Sequence, residues 1–205
     1  MTALAWTAVG FLLGAIPFSL LLGRWAVRSD IRRFGDGNPG AINALRAGGW
    51  RVGGPALFLD FLKGALPVGL AVRVSGVSGW ALVPVALAPV LGHAFSPFLR
   101  FRGGKALAVS LGIWTGLTMP LGPFVLGAIL IVVYGLIATS AWAAIVSAVV
   151  WGVYLLISGG ARSQMLAILA GDLAILVWKH REDLRQPIRT RDRVTRLWNN
   201  VRGQR

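Results

Sequence analysis

The residues able to do chemistry lie in four polar stretches of an otherwise apolar sequence. The first runs Gly35-Asp36-Gly37-Asn38-Pro39-Gly40-Ala41-Ile42-Asn43-Ala44-Leu45-Arg46. Glycines at 35, 37 and 40 with Pro39 are incompatible with an ordinary helix over that stretch. Successive N–H groups of such a segment can form an anion-binding nest. Arg46 adds a fixed charge whose forked donors suit phosphate. The same residues read equally as a basic loop with turns.

The second stretch is Gly92-His93-Ala94-Phe95-Ser96-Pro97-Phe98-Leu99-Arg100-Phe101-Arg102-Gly103-Gly104-Lys105. A Gly-Gly-Lys triplet opening an apolar helix collects backbone donors, a helix N-terminus and an ammonium near one point. It is not a Walker A loop, because the upstream glycine and the hydroxyl residue after Lys105 are missing. Its bland alternative is a basic loop that only sets topology. The third stretch places Asp60 and Lys63 three residues apart inside an apolar run, on one helix face where they can pair. Ionisable groups at membrane depth are costly and usually functional, although a lysine near the surface can snorkel. A structural ion pair bordering the site is expected here. The fourth is Lys179-His180-Arg181-Glu182-Asp183, in which His180 is the residue expected to face inward and the rest can hold anionic lipid head groups.

Whole reaction classes are excluded. The sequence has no cysteine, so disulfides, iron–sulfur clusters and thiol nucleophiles drop out. His93 and His180 are far apart and have no carboxylate cluster, so no metal and no other cofactor is expected.

These residues need helices to carry them. The chain has 205 residues, 56% of them hydrophobic and 14% charged, with a mean hydropathy of +0.69. A soluble domain carries about 25% charged residues. The apolar residues come in runs that approach the length of about 20 needed to cross a bilayer. Seven spans are expected: Leu4–Leu22 with Pro17 inside it, Gly53–Val72, Trp80–Leu91, Ala106–Leu117, Leu121–Leu136, Trp142–Ile157 and Met165–Trp178. The shortest of these, from Ala106, is the weakest. Trp6, Trp80, Trp142 and Trp178 fall near span ends, suiting interfacial anchoring or packing between helices.

The basic residues orient the bundle. Arg24, Arg28, Arg32, Arg33, Arg46 and Arg51 follow the first span; Arg100, Arg102 and Lys105 follow the third; Lys179 and the tail arginines follow the last. Only Arg73 and Arg162 fall on the opposite side, with Lys63 inside a span. The N-terminus is therefore expected outside and the C-terminus in the cytoplasm. The N-terminal run has no preceding Lys or Arg and no clear small-residue cleavage site, so it reads as a retained span. The expected architecture is an all-α polytopic membrane bundle, a single domain over 1–205 with a basic tail over 179–205. The net charge of +14 lies between apolar runs. Nucleic acid is not an expected partner, because the arginine-rich tail lacks aromatic interleaving beyond Trp198.

In this order the blocks resemble the bacterial acyl-phosphate:glycerol-3-phosphate acyltransferase (PlsY) family. The resemblance runs through Gly14-Ala-Ile-Pro-Phe-Ser19, Leu22-Gly23-Arg24, Asp30-Ile31-Arg32, the Gly35–Arg46 block and Asp60-Phe-Leu-Lys-Gly64. It continues through Leu91-Gly92-His93 and Phe101-Arg-Gly-Gly-Lys105 and ends at His180. It implies a seven-helix enzyme of the bacterial inner membrane with a cytoplasm-facing site. Such an enzyme moves an acyl group from acyl phosphate to glycerol 3-phosphate in phospholipid synthesis, giving lysophosphatidate and phosphate without acyl-CoA or metal. Membrane lipids surround it, and coupling to an acyl-phosphate-producing enzyme is a natural partnership. The resemblance makes Arg46, His93 and Lys105 the expected catalytic residues. Gly35, Asp36, Gly37, Asn38, Gly40 and Asn43 are expected to bind substrate, as are Gly103, Gly104, Ser140, His180 and Asp183.

The sequence departs from the family pattern Gly-Ser-Gly-Asn-Pro-Gly-Ala-Thr-Asn. Asp36 stands at the Ser position and Ile42 at the Thr position. A later family Ser falls at Ala141, beside Ser140, and a family Asn falls at Asp183. With Ser140 able to substitute for the one at Ala141 after a one-residue shift, two hydroxyls are lost and two carboxylates gained near expected anions. An ionised Asp36 would repel phosphate unless Arg46 or Lys105 pairs with it. The rival readings are an acyltransferase with another hydroxyl acceptor and a non-enzymatic transporter or lipid-handling protein. The sequence shows no internal repeat to support a transporter.

Overall fold

The computed structural model describes residues 2–191. Apart from the isolated bridge Ile137–Thr190, these residues form helices, turns and loops. In chain order the helices are α1 Ala3–Ala15, α2 Phe18–Val27, α3 Ala41–Gly48, α4 Trp50–Arg73, α5 Leu82–Ala94, α6 Leu107–Thr118, α7 Gly122–Leu136, α8 Ser140–Ile157 and α9 Ser163–His180. Among the described residues, four helical stretches are long and apolar enough to cross a membrane: Ala3–Val27, Trp50–Arg73, Gly79–Leu99 and Ser140–Ile157. Leu107–Thr118 and Gly122–Leu136 are apolar but shorter. Helix α9 carries Asp172 within it and Lys179 and His180 at its end, and it does not join the four.

The first expected span is not one helix. It breaks at Ile16-Pro17 and resumes as α2, because Pro17 has no N–H to continue the ladder. The break frees carbonyls in an apolar environment, where each must find a donor. Ser96 Oγ donates to Ala15 O at 2.6 Å, and Lys63 Nζ donates to Ile16 O at 3.0 Å. Lys63 also faces Asp60 Oδ1 at 2.8 Å, and Ser19 Oγ donates to Asp60 Oδ2 at 2.6 Å. The pair spaced i,i+3 on α4 thus rivets the broken span to its neighbour. Both side chains are almost fully buried, at 2% and 3% exposed.

Small residues set how closely the helices approach, as expected where apolar association gives no driving force. A Cβ on Gly14 would overlap the backbone of Pro89 on α5, and one on Gly64 would overlap Val109 O on α6. The main core gathers Val68, Val90, Val109, Ile113, Trp151 and Ile168 from α4, α5, α6, α8 and α9. Trp6 is buried in a separate cluster with Ala71 and Val85, and its Nε1 donates to Ser75 Oγ at 2.9 Å. Trp80 and Trp178 remain exposed.

The start of the tail has a structural role of its own. After the turn at Asp183–Arg185 the chain crosses the α7–α8 junction as a strap. Ala138 N donates to Arg189 O at 2.7 Å, Arg191 N to Leu136 O at 3.0 Å, and Trp142 Nε1 to Gln186 O at 2.9 Å. The rest of the expected tail, 192–205, lies outside the described residues.

Two outcomes test this architecture. Lys63→Met leaves Asp60 and Ile16 O without their donor and should cost about 3–5 kcal/mol, read as a lower thermal midpoint in detergent. The Asp60→Leu/Lys63→Met double change should recover part of the loss. Seven spans with the N-terminus outside require Ser78→Cys and Ser163→Cys to label from outside intact cells and Gln186→Cys only after lysis. The absence of native cysteine makes each readout clean.

Candidate active site

The Gly35–Gly40 segment is a loop, and Ala41 begins α3, so the second half of the block is helical. Gly35 and Gly37 take φ of +60° and +74°, which a side chain resists. The turn points the Asp36 carboxylate back into its own loop. Its Oδ1 accepts from Asn38 N at 3.2 Å and from Asn43 Nδ2 at 2.8 Å. Asn43 and Arg46 sit i,i+3 on α3, and Arg46 Nη1 donates to Asn43 Oδ1 at 3.1 Å. The Arg46 guanidinium lies where a Cβ on Gly35 would be.

The Gly-Gly-Lys loop comes from the far side. Phe101 and Ala106, which flank it, both have positive φ, at 62° and 65°. Non-glycine residues held there carry strain that surrounding contacts must sustain. The peptide between Gly103 and Gly104 is gripped at both ends. Gly104 N donates to His93 O at 3.1 Å, and Lys179 Nζ donates to Gly103 O at 3.0 Å and Ala94 O at 2.9 Å. A Cβ on Gly104 would overlap the imidazole of His93. Lys105 then projects between the two loops. Its Nζ contacts Asp36 Oδ2 and Asp183 Oδ2, each at 2.5 Å.

Around this lysine opens a cavity of about 430 Å³. Its walls include Asp36, Gly37 and Asn38 from the first loop, Gly103 and Lys105 from the second, and Asp183 after α9. Burial pushes the Asp36 carboxyl up, but hydrogen bonds from Lys105, Asn38 N–H and Asn43 outweigh it and hold the group at about 2. Burial likewise opposes the Lys105 charge, and the hydrogen bonds it donates to Asp183 and Asp36 raise its pKa overall. The Asp36–Lys105 contact is therefore intact at neutral pH and is lost only as pH falls from the ordinary carboxylate range through about 2.

The remaining expected residues lie near or away from the cavity. Arg46 reaches it only through Asn43 and Asp36, with Gly35 and Gly40 at the ends of that loop. His93 is buried behind Gly104, its Nδ1 3.8 Å from Asp60 Oδ1, and it does not line the cavity. His180 is buried, its Nδ1 bonded to Leu176 O at 2.9 Å, within electrostatic reach of Lys105, Asp36 and Asp183. Ser140 is exposed at the start of α8 and off the cavity, while neighbouring Ala141 is fully buried. Lys179, a cavity wall and loop clamp, carries no motif in the sequence. Its signal is its position at the end of the last apolar run. Asp172, buried on α9, accepts from Ser110 Oγ at 2.6 Å and Trp114 Nε1 at 3.0 Å. A lone acid inside an apolar run was its signal. Among the described residues no group of His, Cys, Asp and Glu has the makings of a metal site.

Fold and site together define a multi-pass helical membrane protein with a glycine-walled, lysine-centred cavity at one end of the bundle. A family model described as glycerol-3-phosphate acyltransferase matches residues 4–190, and the chain belongs to that family. It is 39% identical over 185 residues to the glycerol-3-phosphate acyltransferase of Rubrobacter xylanophilus, covering 90% of this chain and 91% of the relative. With glycerol-3-phosphate acyltransferase 1 of Thermotoga maritima it is 44% identical over 120 residues, 58% of this chain and 59% of the relative. The crystal structure of PlsY (YgiH), an integral membrane glycerol 3-phosphate acyltransferase, in its glycerol 3-phosphate form, superposes with a TM-score of 0.80 at 30% identity. That match covers 89% of this chain and 90% of PlsY. The lysophosphatidic acid form gives 0.77.

The fit between Gly104 and His93 gives a direct check. Gly104→Ala should lower both thermal stability and activity. Adding His93→Ala should restore the stability by opening the space.

Proposed function

We propose that this protein, in the bacterial inner membrane, transfers an acyl group from acyl phosphate to glycerol 3-phosphate for phospholipid synthesis. Its products are 1-acyl-glycerol 3-phosphate and inorganic phosphate. Family membership supports acylation of glycerol 3-phosphate. The PlsY structures named for glycerol 3-phosphate and lysophosphatidic acid match substrate and product. The single observation carrying the site assignment is the meeting of two glycine loops on Lys105. Acyl phosphate as donor, and a site facing the cytoplasm beside an enzyme that makes acyl phosphate, belong to this reading.

The chemistry asks little beyond position and charge. The acceptor hydroxyl oxygen attacks the acyl carbon, the bond from that carbon to the phosphate oxygen breaks, and the departing phosphate takes the hydroxyl proton. Phosphate is a good leaving group, so no covalent enzyme nucleophile is needed. Two anions must be held side by side, which requires preorganised cations and N–H donors in a partly dry site. Lys105 supplies charge at the cavity, Arg46 acts on the loop through Asn43, and Gly37, Asn38 and Gly103 supply close backbone. Asn43 passes the order of α3 to the loop. His93 acts as a positioning residue, propping Gly104 from behind. With Nδ1–H committed to Leu176 O, neutral His180 keeps Nε2 as an acceptor for a substrate hydroxyl.

Purified protein in detergent, given acyl phosphate and labelled glycerol 3-phosphate, should form lysophosphatidate. No product with either acyl phosphate or acyl-CoA defeats the enzymatic reading. Lys105→Ala and Arg46→Ala should each lower kcat by about 10²–10³-fold. Near-normal rates in both would misplace the phosphates.

A further inference from the structure

We propose that Asp36 and Asp183 stand in for the two substrate phosphates, each carboxylate filling one anion position on Lys105, so that these acids set the affinity of the site for each substrate. The inference rests on the acyltransferase reading above and deepens it. Its basis is the donor set that the carboxylates occupy. Lys105 has three N–H donors, and Asp36 and Asp183 take two of them from two separate segments that line the cavity. The second oxygen of Asp36 takes a backbone N–H of the glycine loop and the Asn43 amide. A backbone N–H, an amide and an ammonium converging on one anion is the constellation a phosphate uses. Here one internal acid, Asp36, holds it.

Both acids have somewhere to go when displaced. Their side chains are 41% and 31% exposed, so each can turn to water as an incoming dianion replaces it on Lys105. Asp60, at 3% exposed, has no such exit and stays fixed to Lys63. Of the other cavity cations, Lys179 is committed to backbone carbonyls and Arg181 lies against Trp178 and Glu182, while Arg102 on the cavity wall is a further charge that an incoming phosphate can meet. Asp36 is also poorly suited to the competing role of general base. Its carboxylate is strongly stabilised by its donors and binds a proton weakly.

The carboxylates come from separate segments, the loop before α3 and the turn after α9, so their effects should separate. Kinetics with both substrates varied would compare the wild type with Asp36→Asn and Asp183→Asn, each checked for thermal stability. Each variant should lower KM by roughly tenfold for one phosphate substrate, and a different one for each. A fall in kcat with unchanged KM would make the acid a base, and a raised KM would make it a scaffold for the loop. Either result, or both variants acting on the same substrate, overturns the proposal. Calorimetric titration with inorganic phosphate gives a readout without turnover. Both variants should bind phosphate more tightly than the wild type, and unchanged binding overturns the proposal too. If the wild type makes no lysophosphatidate, the enzymatic reading fails while this titration still judges the displaced carboxylates.

Discussion

A carbonyl released from a helix inside a membrane has no water to turn to, and the rest of this structure follows from how that problem is met. The lysines of the sequence are Lys63, Lys105 and Lys179. Lys63 takes the carbonyl freed beside Pro17, and Lys179 takes those of Ala94 and Gly103. A compact ammonium with three donors can satisfy a carbonyl and a second partner at once, which a planar guanidinium does less readily in a tight space. Irregular backbone then becomes tolerable at depth. Lys105 differs from the other two in that both its partners are side-chain carboxylates at the cavity, and so it keeps a charge that ligands can reach.

The same economy links the scaffold to the site. His93 sits between the Asp60–Lys63 pair and the Gly103–Gly104 peptide. The break in the first span, the ion pair on α4 and the loop before α6 therefore form one continuous contact chain. A change at Pro17 or Ser19 acts on the cavity through buried neighbours rather than through direct contact. Specific placement of this kind depends on close helix approach, which Gly14 and Gly64 permit.

Much of this was legible in the sequence. Apolar runs gave the helical membrane class, and the ordered Gly, Asp, His and Lys blocks gave the family. Asp60 and Lys63 could be paired from their spacing alone, since i and i+3 share a helix face. The charge on Asp36 called for Arg46 or Lys105 as partner, and the choice of Lys105 depended on tertiary contacts between segments 69 residues apart, which no local pattern encodes. Ser140 looked eligible because it adjoins Ala141, yet one residue along a helix turns the side chain by about 100°, and it points outward. Lys179 was hidden for another reason: a lysine past the last span reads as topology until the carbonyls it serves are seen.

The strap over the α7–α8 junction has a consequence for where the catalytic unit ends. Asp183 is held from one side by α9 and from the other by a segment hydrogen-bonded to Leu136, Ala138 and Trp142. That wall of the cavity is thus shared property of three helices, and any tilt between α7 and α8 reaches Lys105 as a tug on a single carboxylate. Lateral pressure from the surrounding lipid, which acts on helix tilt, would through this tether bear on the Asp183 carboxylate.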